Sequence, residues 1–396
     1  MTGPVTAITF WIAVALAAYP WVVYPALLLA SARRRPTSPA SAAPWPRLSV
    51  IVAAYNEAAC IEAKLASTLG AVYPRDRLEV IVVSDASTDG TDRLVTACGD
   101  SRVSLVRQER RAGKSVALNL AVQRARGEIL VFTDANALFA RDALARLAAP
   151  FAEPRVGLVS GQGLYAAPGA RDAQAVGNGY VRFEAFLRER EARLGVLAGA
   201  DGAIYALRRS LYRDLGAAEV NDLAHPIQVA LAGRACRFDP GAYTVEPPSA
   251  HAGQEFRRHV RIVAQNARLL QDWLPRLLTA GRWRLVGALV SHRILRWTAA
   301  PALAVALATN VLLAGTHAVY TATLAGQLAF YALALTGRAA ERAGFRLGRL
   351  ALPYYFCVVS AAGVAGLARY LRGGAQAVWA PTGAPVPGPS VSERAA

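Results

Sequence analysis

Two stretches without a single Asp, Glu, Lys or Arg, residues 1–32 and 297–337, limit what this chain can fold into. As one helix, the second stretch would reach about 60 Å, twice a hydrocarbon core of about 30 Å. Two spans with a turn near Gly315-Thr316-His317 are the economical reading. Residues 8–30 are long enough for one span. A further uncharged run, residues 350–368, contains Pro353 and several glycines. It is expected as a third C-terminal membrane segment, spanning, re-entrant or interfacial.

Ala30-Ser31-Ala32 could pass for a signal-peptidase site, but no Lys or Arg precedes the apolar run and the run is too long. Arg33-Arg34-Arg35 follow it, and Arg338, Arg342, Arg346 and Arg349 lie between the later runs. By the positive-inside rule both clusters are expected in the cytoplasm, with the N-terminus and the turn at 315–317 outside. Arg369 and Arg372 conflict with a tail outside, so the mode of the last segment stays open.

Hydrophobic residues make up 54% of the 396, above the roughly 45–50% of soluble proteins. That excludes a disordered or charge-rich chain. The net charge of +17 suits either nucleic acid or an anionic membrane surface. No basic stripe interleaved with aromatics is present, and the arginines flank apolar runs, so the membrane is expected as partner and nucleic acid is not. Cys60, Cys98, Cys236 and Cys357 are far apart in sequence, so they offer no metal-type pair. They read as reduced thiols in a cytosolic region.

The expected organisation is a membrane helix over 1–32 and a proline-bearing linker over 33–46. A catalytic domain covers 47–253, and interfacial amphipathic helices carrying Trp273 and Trp283 cover 254–296. Membrane helices occupy 297–372 and a tail 373–396. Within the domain, residues 48–54 and 78–83 are apolar enough for buried parallel strands. Residues 103–107 and 129–133 continue the rhythm, with helices expected from Asn56 to about Leu69, after Gly90, and over 114–126. This alternation predicts a doubly wound, mostly parallel α/β sheet, which binds ligands at the carboxyl ends of its strands. Tyr55, Asn56, Glu57, Asp85 and Asp134 fall there. No G-x-G-x-x-G follows the first strand and there is no P-loop. Carboxylates at those ends instead suggest a nucleotide held partly through a divalent metal.

Four motifs then carry a resemblance. Val52-Ala53-Ala54-Tyr55-Asn56-Glu57, Val82-Val83-Ser84-Asp85-Ala86-Ser87-Thr88-Asp89-Gly90-Thr91, Gly113-Lys114-Ser115-Val116-Ala117-Leu118-Asn119 and Phe132-Thr133-Asp134-Ala135-Asn136 resemble family 2 glycosyltransferases. The branch they resemble is the membrane-bound one of cellulose, chitin and hyaluronan synthases. The resemblance implies a GT-A fold and transfer of a hexose or N-acetylhexosamine from a nucleoside diphosphate sugar to a lipid-linked or saccharide acceptor. It also implies work in cell-envelope polysaccharide synthesis at a bacterial inner membrane. It places Tyr55 and Glu57 near the base and ribose, Asp85 at the nucleotide end and Lys114 near the diphosphate. Asp134 and Asn136 occupy the D-x-D position for Mg or Mn, with Asn136 replacing the second carboxylate.

Asn56 is open between a helix cap and a ligand, and Asp89 reads as a turn residue. Residues 199–209 look like the family's acceptor segment, where Asp201 either binds acceptor hydroxyls or stabilises a tight turn. Asn221-Asp222 fits the base motif. Asp222 is the expected general base and His225 a structural neighbour. Gln254, Arg257 and Arg258 resemble Q-x-x-R-W with Arg258 in place of Trp, while Arg257, Arg258 and Arg261 read equally as a solvated helix face near lipid headgroups. Losing that stacking platform favours short additions over long polymers. The departures at Asn136, Asn221 and Arg258 keep a second reading open, a catalytically inactive nucleotide- or sugar-lipid-binding protein.

Overall fold

The computed structural model describes residues 3–31, 45–165, 179–247, 252–345 and 352–374. Arg33-Arg34-Arg35, most of the 33–46 linker, Arg346, Arg349 and the tail beyond 374 lie outside the described residues. The chain divides into two compact units. One comprises residues 1–30, 249–271 and 286–375, and the other residues 31–248, 272–285 and 376–396. Residues 272–285 therefore belong with the α/β unit, where the sequence reading had drawn 254–296 as one interfacial block.

In the α/β unit, β1 (Leu48–Ala54), β2 (Leu78–Ser84), β3 (Val103–Arg107) and β4 (Ile129–Asp134) are parallel neighbours in the order β3-β2-β1-β4. Every residue of β1 is buried, the physical reason its sequence is apolar but for Ser49. Beyond β4 the sheet becomes mixed. β7 (Tyr205–Arg208) pairs antiparallel with β4 and with β6 (Val156–Tyr165). β6 runs parallel to β8 (Ala235–Glu246), and β5 (Leu138–Phe139) closes the edge on β8. The α/β expectation holds, with a parallel half and a mixed half.

Helix α3 (Ile61–Leu69) starts later than expected from Asn56, because Asn56 adopts a left-handed backbone at φ 55° and turns the chain instead of opening a helix. α3 buries Ile61, Lys64, Leu65 and Thr68 on one stripe. α4 (Thr91–Ala97) and α5 (Lys114–Arg124) follow β2 and β3. Gly113 precedes α5 at φ 95°, a backbone that side chains rarely adopt. α6 (Ala143–Ala148), α7 (Gly179–Arg193) and α8 (Asn221–Leu231) complete the unit's main helices.

The other unit holds helices long and apolar enough to cross a membrane. α1 (Pro4–Ala18), a π turn at Tyr19–Val23 and α2 (Tyr24–Ser31) make one 28-residue candidate span. The widened turn lies at Pro20 and ends before Pro25, residues that interrupt an α ladder. After α9 (Ala252–Thr279) come α10 (Trp283–Ala288), a π turn at Leu289–Ile294 and α11 (Leu295–Trp297). α12 (Ala299–Leu313) has 15 residues and bends by 57° from the preceding segment. The first of the two expected spans in 297–337 is thus a bent pair. Pro301 explains the position, since it cannot donate to the Trp297 carbonyl.

The turn falls where expected, at Gly315 with φ 80°, and the His317 ring caps α13 (Ala318–Arg342) by accepting from the Val319 N–H. α13 carries Arg338 and Arg342 on helix, so the basic loop begins later than the sequence suggested. α14 (Leu352–Leu371) is a further 20-residue candidate span. Its Pro353 lies in the first turn, where no intrahelical N–H bond is lost. Within this unit Phe10 and Ala13 pack against Ala306 and Leu313. α14 approaches α9 at Gly366, where a Cβ would sit 2.6 Å from Val263 Cβ.

Candidate active site

Strand direction gathers the site. β1, β2 and β4 are parallel and end at Ala54, Ser84 and Asp134. β7 is antiparallel to β4, with Phe132 opposite Tyr205, so the segment that enters β7 arrives at the same sheet end. The Ala200 N–H donates to the Asp222 carbonyl at 2.8 Å, which ties the start of α8 to that segment. A Cβ on Gly202 would lie 3.5 Å from Asp222 Oδ2, so a glycine there keeps the backbone close to the carboxylate. Asp222 is in the first turn of α8, partly exposed, and the cap position belongs to Val220.

Asp134 ends β4, and Lys114 at the start of α5 donates to its Oδ1 at 2.5 Å. Both side chains stay partly open to solvent. Asn136 follows in a turn closed by the Ala137 N–H donating to the Asp134 carbonyl at 3.3 Å. Beneath this turn lies Lys64, fully buried, whose Nζ donates to Thr133 Oγ1 at 2.7 Å and to the Ala137 carbonyl. The same ammonium sits 3.8 Å from the Phe139 ring centroid. Burial pulls the Lys64 ammonium down to about 7, with Asp134 and Glu246 opposing that shift.

Asp85 is buried and holds a loop. Its Oδ1 accepts from Gln108 Nε2 at 2.7 Å and the Ala112 N–H at 2.8 Å, and its Oδ2 accepts from the Gly113 N–H at 3.0 Å. Its carboxylate thereby fixes the residues that deliver Lys114. Asn56 Oδ1 accepts from the Thr88 N–H at 2.8 Å, and Asp89 Oδ2 accepts from the Ala58 N–H at 2.9 Å, so both lace the first two strand-end loops together. Tyr55 presents its ring to the Arg111 guanidinium, 3.8 Å away.

Glu57 is 6% exposed. Burial pushes its carboxyl up to about 7, with the Cys60 thiol bond lowering it and the charges of Asp134 and Asp89 raising it further. A raised folded value means that the unfolded chain ionises first, so stability is lost as pH rises from about 4.5 through about 7. Between pH 5 and pH 8 the wild type should therefore lose about 2–3 kcal/mol more unfolding free energy than Glu57→Gln. Thermal midpoints of the two proteins across that range check it. Parallel curves would show that Glu57 is not the cause.

Asp201 is engaged within the fold. Its Oδ2 accepts from the Gly163 N–H at 3.0 Å and Arg188 Nη1 at 2.8 Å, and its Oδ1 accepts from the Ala203 N–H at 3.2 Å. The second half of the proposed acceptor segment is β7 itself, buried at Tyr205, Ala206 and Leu207. Asn221 Nδ2 donates to Tyr205 Oη at 2.7 Å, and that hydroxyl shares a 2.8 Å hydrogen bond with His225 Nδ1. The His225 ring is fully buried among Phe132, Tyr205 and Tyr212. Burial lowers it to about 3, so it stays neutral at working pH.

The sequence model of glycosyl transferase family 2 matches residues 49–216, which run from β1 through β7 to the approach of α8. A glycosyl transferase family 2 domain therefore spans these residues of the chain. A solved mannosyltransferase of Pyrobaculum calidifontis, determined with GDP-mannose and Mn2+, superposes with a TM-score of 0.65 at 28% identity. The superposition covers 92% of this chain and 99% of that one, and it identifies the fold as GT-A. An N-acetylglucosaminyltransferase of Mesorhizobium japonicum is 34% identical over 136 residues, 32% of this chain. A beta-monoglucosyldiacylglycerol synthase of Synechocystis is 36% identical over 125 residues, 31% of this chain. The chain spans only 31% and 26% of those two relatives. A probable glycosyltransferase of Bacillus subtilis, YdaM, is 25% identical over 61% of this chain and 60% of its own length.

Among the described residues, no three His, Cys, Asp or Glu side chains converge as a metal cage. The residues present nevertheless fit a cation carried in with a diphosphate. Mg2+ is ordinarily held by one or two protein oxygens and by substrate phosphates. Asp134 and Asn136 offer one carboxylate and one amide on a partly exposed turn. Gln254, Arg257 and Arg258 belong to the other unit, near the start of α9, where Arg258 lies 3.9 Å from Glu255 and His259 Nδ1 3.2 Å from the same carboxylate.

Two residues escaped the sequence reading. Lys64 was available as a lysine on the apolar stripe of its own helix. Trp273, read as an interfacial residue, belongs to the α/β unit and donates to Glu219 Oε1 at 2.6 Å, two residues before Asn221. No motif in the sequence marks that bond.

Proposed function

We propose that the protein is a membrane-anchored inverting glycosyltransferase that adds one or a few sugars from a nucleoside diphosphate sugar to a lipid-linked or oligosaccharide acceptor. The observation that carries the reading is the placement of two partly exposed carboxylates at one sheet end, Asp134 ion-paired to Lys114 and Asp222 beside Gly202. Asp222 takes the proton of the acceptor hydroxyl as that oxygen bonds to the anomeric carbon and the bond to the diphosphate oxygen breaks. A single displacement inverts the anomeric centre. Lys114 offers an ammonium to the charge that grows on the leaving diphosphate. A divalent metal, when bound at Asp134 and Asn136, supplies Lewis-acid charge to the same oxygens.

A lipid-linked acceptor is supported by the candidate membrane spans and by the diacylglycerol named in the Synechocystis relative. Polysaccharide work is supported by the names of other relatives, a succinoglycan biosynthesis protein of Rhizobium meliloti among them. Short addition, in place of the polymer synthesis of the branch resembled, is supported by Arg258, whose guanidinium prefers anions to sugar faces. The test is purified full chain in detergent with Mn2+, screened against GDP-mannose, UDP-glucose and UDP-N-acetylglucosamine, with diphosphate release and acceptor mass as readouts. Release with products one or a few sugars heavier is expected. Long chains without short intermediates would overturn the product assignment. Donor binding without release would favour the inactive binding protein.

We place the α/β unit in the cytoplasm of a bacterial inner membrane, where nucleotide sugars are made. An impermeant thiol reagent should leave Cys98 unlabelled in intact cells and label it once the membrane is opened. Labelling in intact cells would reverse the orientation.

A further inference from the structure

The 44 basic Lys and Arg residues of this chain include only two lysines, Lys64 and Lys114. Both are at the Asp134 turn. Lys114 meets the carboxylate from the solvent side, whereas Lys64 lies below it with no exposed surface. A buried ammonium is costly unless its protons are taken up, and here Thr133 Oγ1, the Ala137 carbonyl and the Phe139 ring receive it. Thr133 and Ala137 bracket the three residues Asp134, Ala135 and Asn136. Within the turn itself the Asp134 carbonyl accepts two long hydrogen bonds, from the Ala137 N–H at 3.3 Å and from Thr133 Oγ1 at 3.5 Å. The helix that carries Lys64 is anchored independently by Ile61 and Leu65 in the core.

We propose that Lys64 is a positioning residue, a clip from inside the fold that joins the two ends of the Asp134-Ala135-Asn136 turn and so fixes the direction of its two oxygen ligands. A neutral apolar side chain at 64 would fill most of the space but leave the Ala137 carbonyl and the Thr133 hydroxyl without their donor. The turn would then be held by those two long bonds alone, and the two ligand oxygens would no longer share a fixed separation. Groups that orient metal ligands from behind typically change metal affinity by about 10–100-fold when removed. The consequence for metal rests on the function proposed above, whereas the clip itself does not.

The test compares full-length wild type, Lys64→Met and a control, Ile81→Ala, in detergent. Ile81 is 1% exposed on β2. It alternates with Val80 and Val82, which belong to the core cluster of Ile61 and Leu65, so it faces the other side of the sheet. Hydrogen exchange without metal reads the clip. Amides of 135–137 should exchange about tenfold faster in Lys64→Met than in wild type, with no comparable change in Ile81→Ala. Equal exchange in wild type and Lys64→Met, or equal acceleration in both variants, would overturn the clip.

Electron paramagnetic titration of Mn2+ with GDP or UDP reads the consequence. Binding should weaken about tenfold or more in Lys64→Met and stay near wild type in Ile81→Ala. Unchanged Mn2+ binding in Lys64→Met would overturn the assignment of Lys64 to ligand positioning. If wild type itself binds no Mn2+ with either nucleotide, the metal-dependent reading fails, and the exchange result still decides the clip.

Discussion

Asp222→Asn should bind a nucleotide sugar as well as the wild type and transfer it at a rate lower by about 10^2–10^4. The substitution keeps the shape of the side chain and removes its basicity. The Asp222 carbonyl keeps its bond to the Ala200 N–H, and the approach of Gly202 is unchanged. Donor affinity, measured by calorimetry, should stay within about twofold, because Lys114 and Asp134 are left intact. A loss confined to kcat marks a group that acts in the transition state. Transfer near the wild-type rate would remove Asp222 from the mechanism. Such a result would not pass the role to His225, whose ring is fully buried and held neutral by burial. The neighbouring network explains why this chain tolerates Asn221 where an acid is common in the family. The Asn221 amide donates to Tyr205 Oη in a site with no access to water, a bond that an ionised carboxylate could not make from the same position.

The parallel half of the sheet was legible because strands buried on both faces are nearly continuously apolar, as β1 is but for Ser49. The second half was not. β8 reads Ala-Cys-Arg-Phe-Asp-Pro-Gly-Ala-Tyr-Thr-Val-Glu, a mixture with a proline and a glycine that resembles a loop. Its pairing with β6 shifts register between Ser160 and Gln162, and such irregular pairing leaves no clean alternation in sequence. Four-residue β7 is too short to show a period, and the glycines before it drew attention to the acceptor instead. That Asp134, Lys114 and Asp222 gather at one sheet end was legible from motif order. The duties of Asp85 and Asp201 were not, because a carboxylate that fixes a loop and one that meets a ligand look alike in sequence. Lys64 shows the same limit from the other side. At i+3 from Ile61 on a buried stripe it was conspicuous, yet its partners come from residues about seventy positions away.

Asp134→Ala should abolish metal-stimulated diphosphate release, with a loss of about 10^3 or more against the wild type at saturating Mn2+. The carboxylate serves two cations at once. It takes the Lys114 ammonium directly at 2.5 Å and helps to keep the buried Lys64 charged from the other side. Removing it leaves Asn136 as the one remaining ligand of the motif, a neutral amide with little hold on a hard cation. It also frees Lys114, which remains close enough to attract a diphosphate by charge alone. Nucleotide binding without metal should therefore survive, or even tighten, while metal no longer improves it. Asp134→Asn makes the sharper comparison, since it keeps the size and one acceptor oxygen while losing the charge. If the carboxylate acts as a metal ligand, Asn should behave like Ala in Mn2+ titrations. If it acts only by holding Lys114 in place, Asn should recover much of the activity by accepting the same hydrogen bond. Diphosphate release unchanged in both variants would remove the metal from Asp134 altogether.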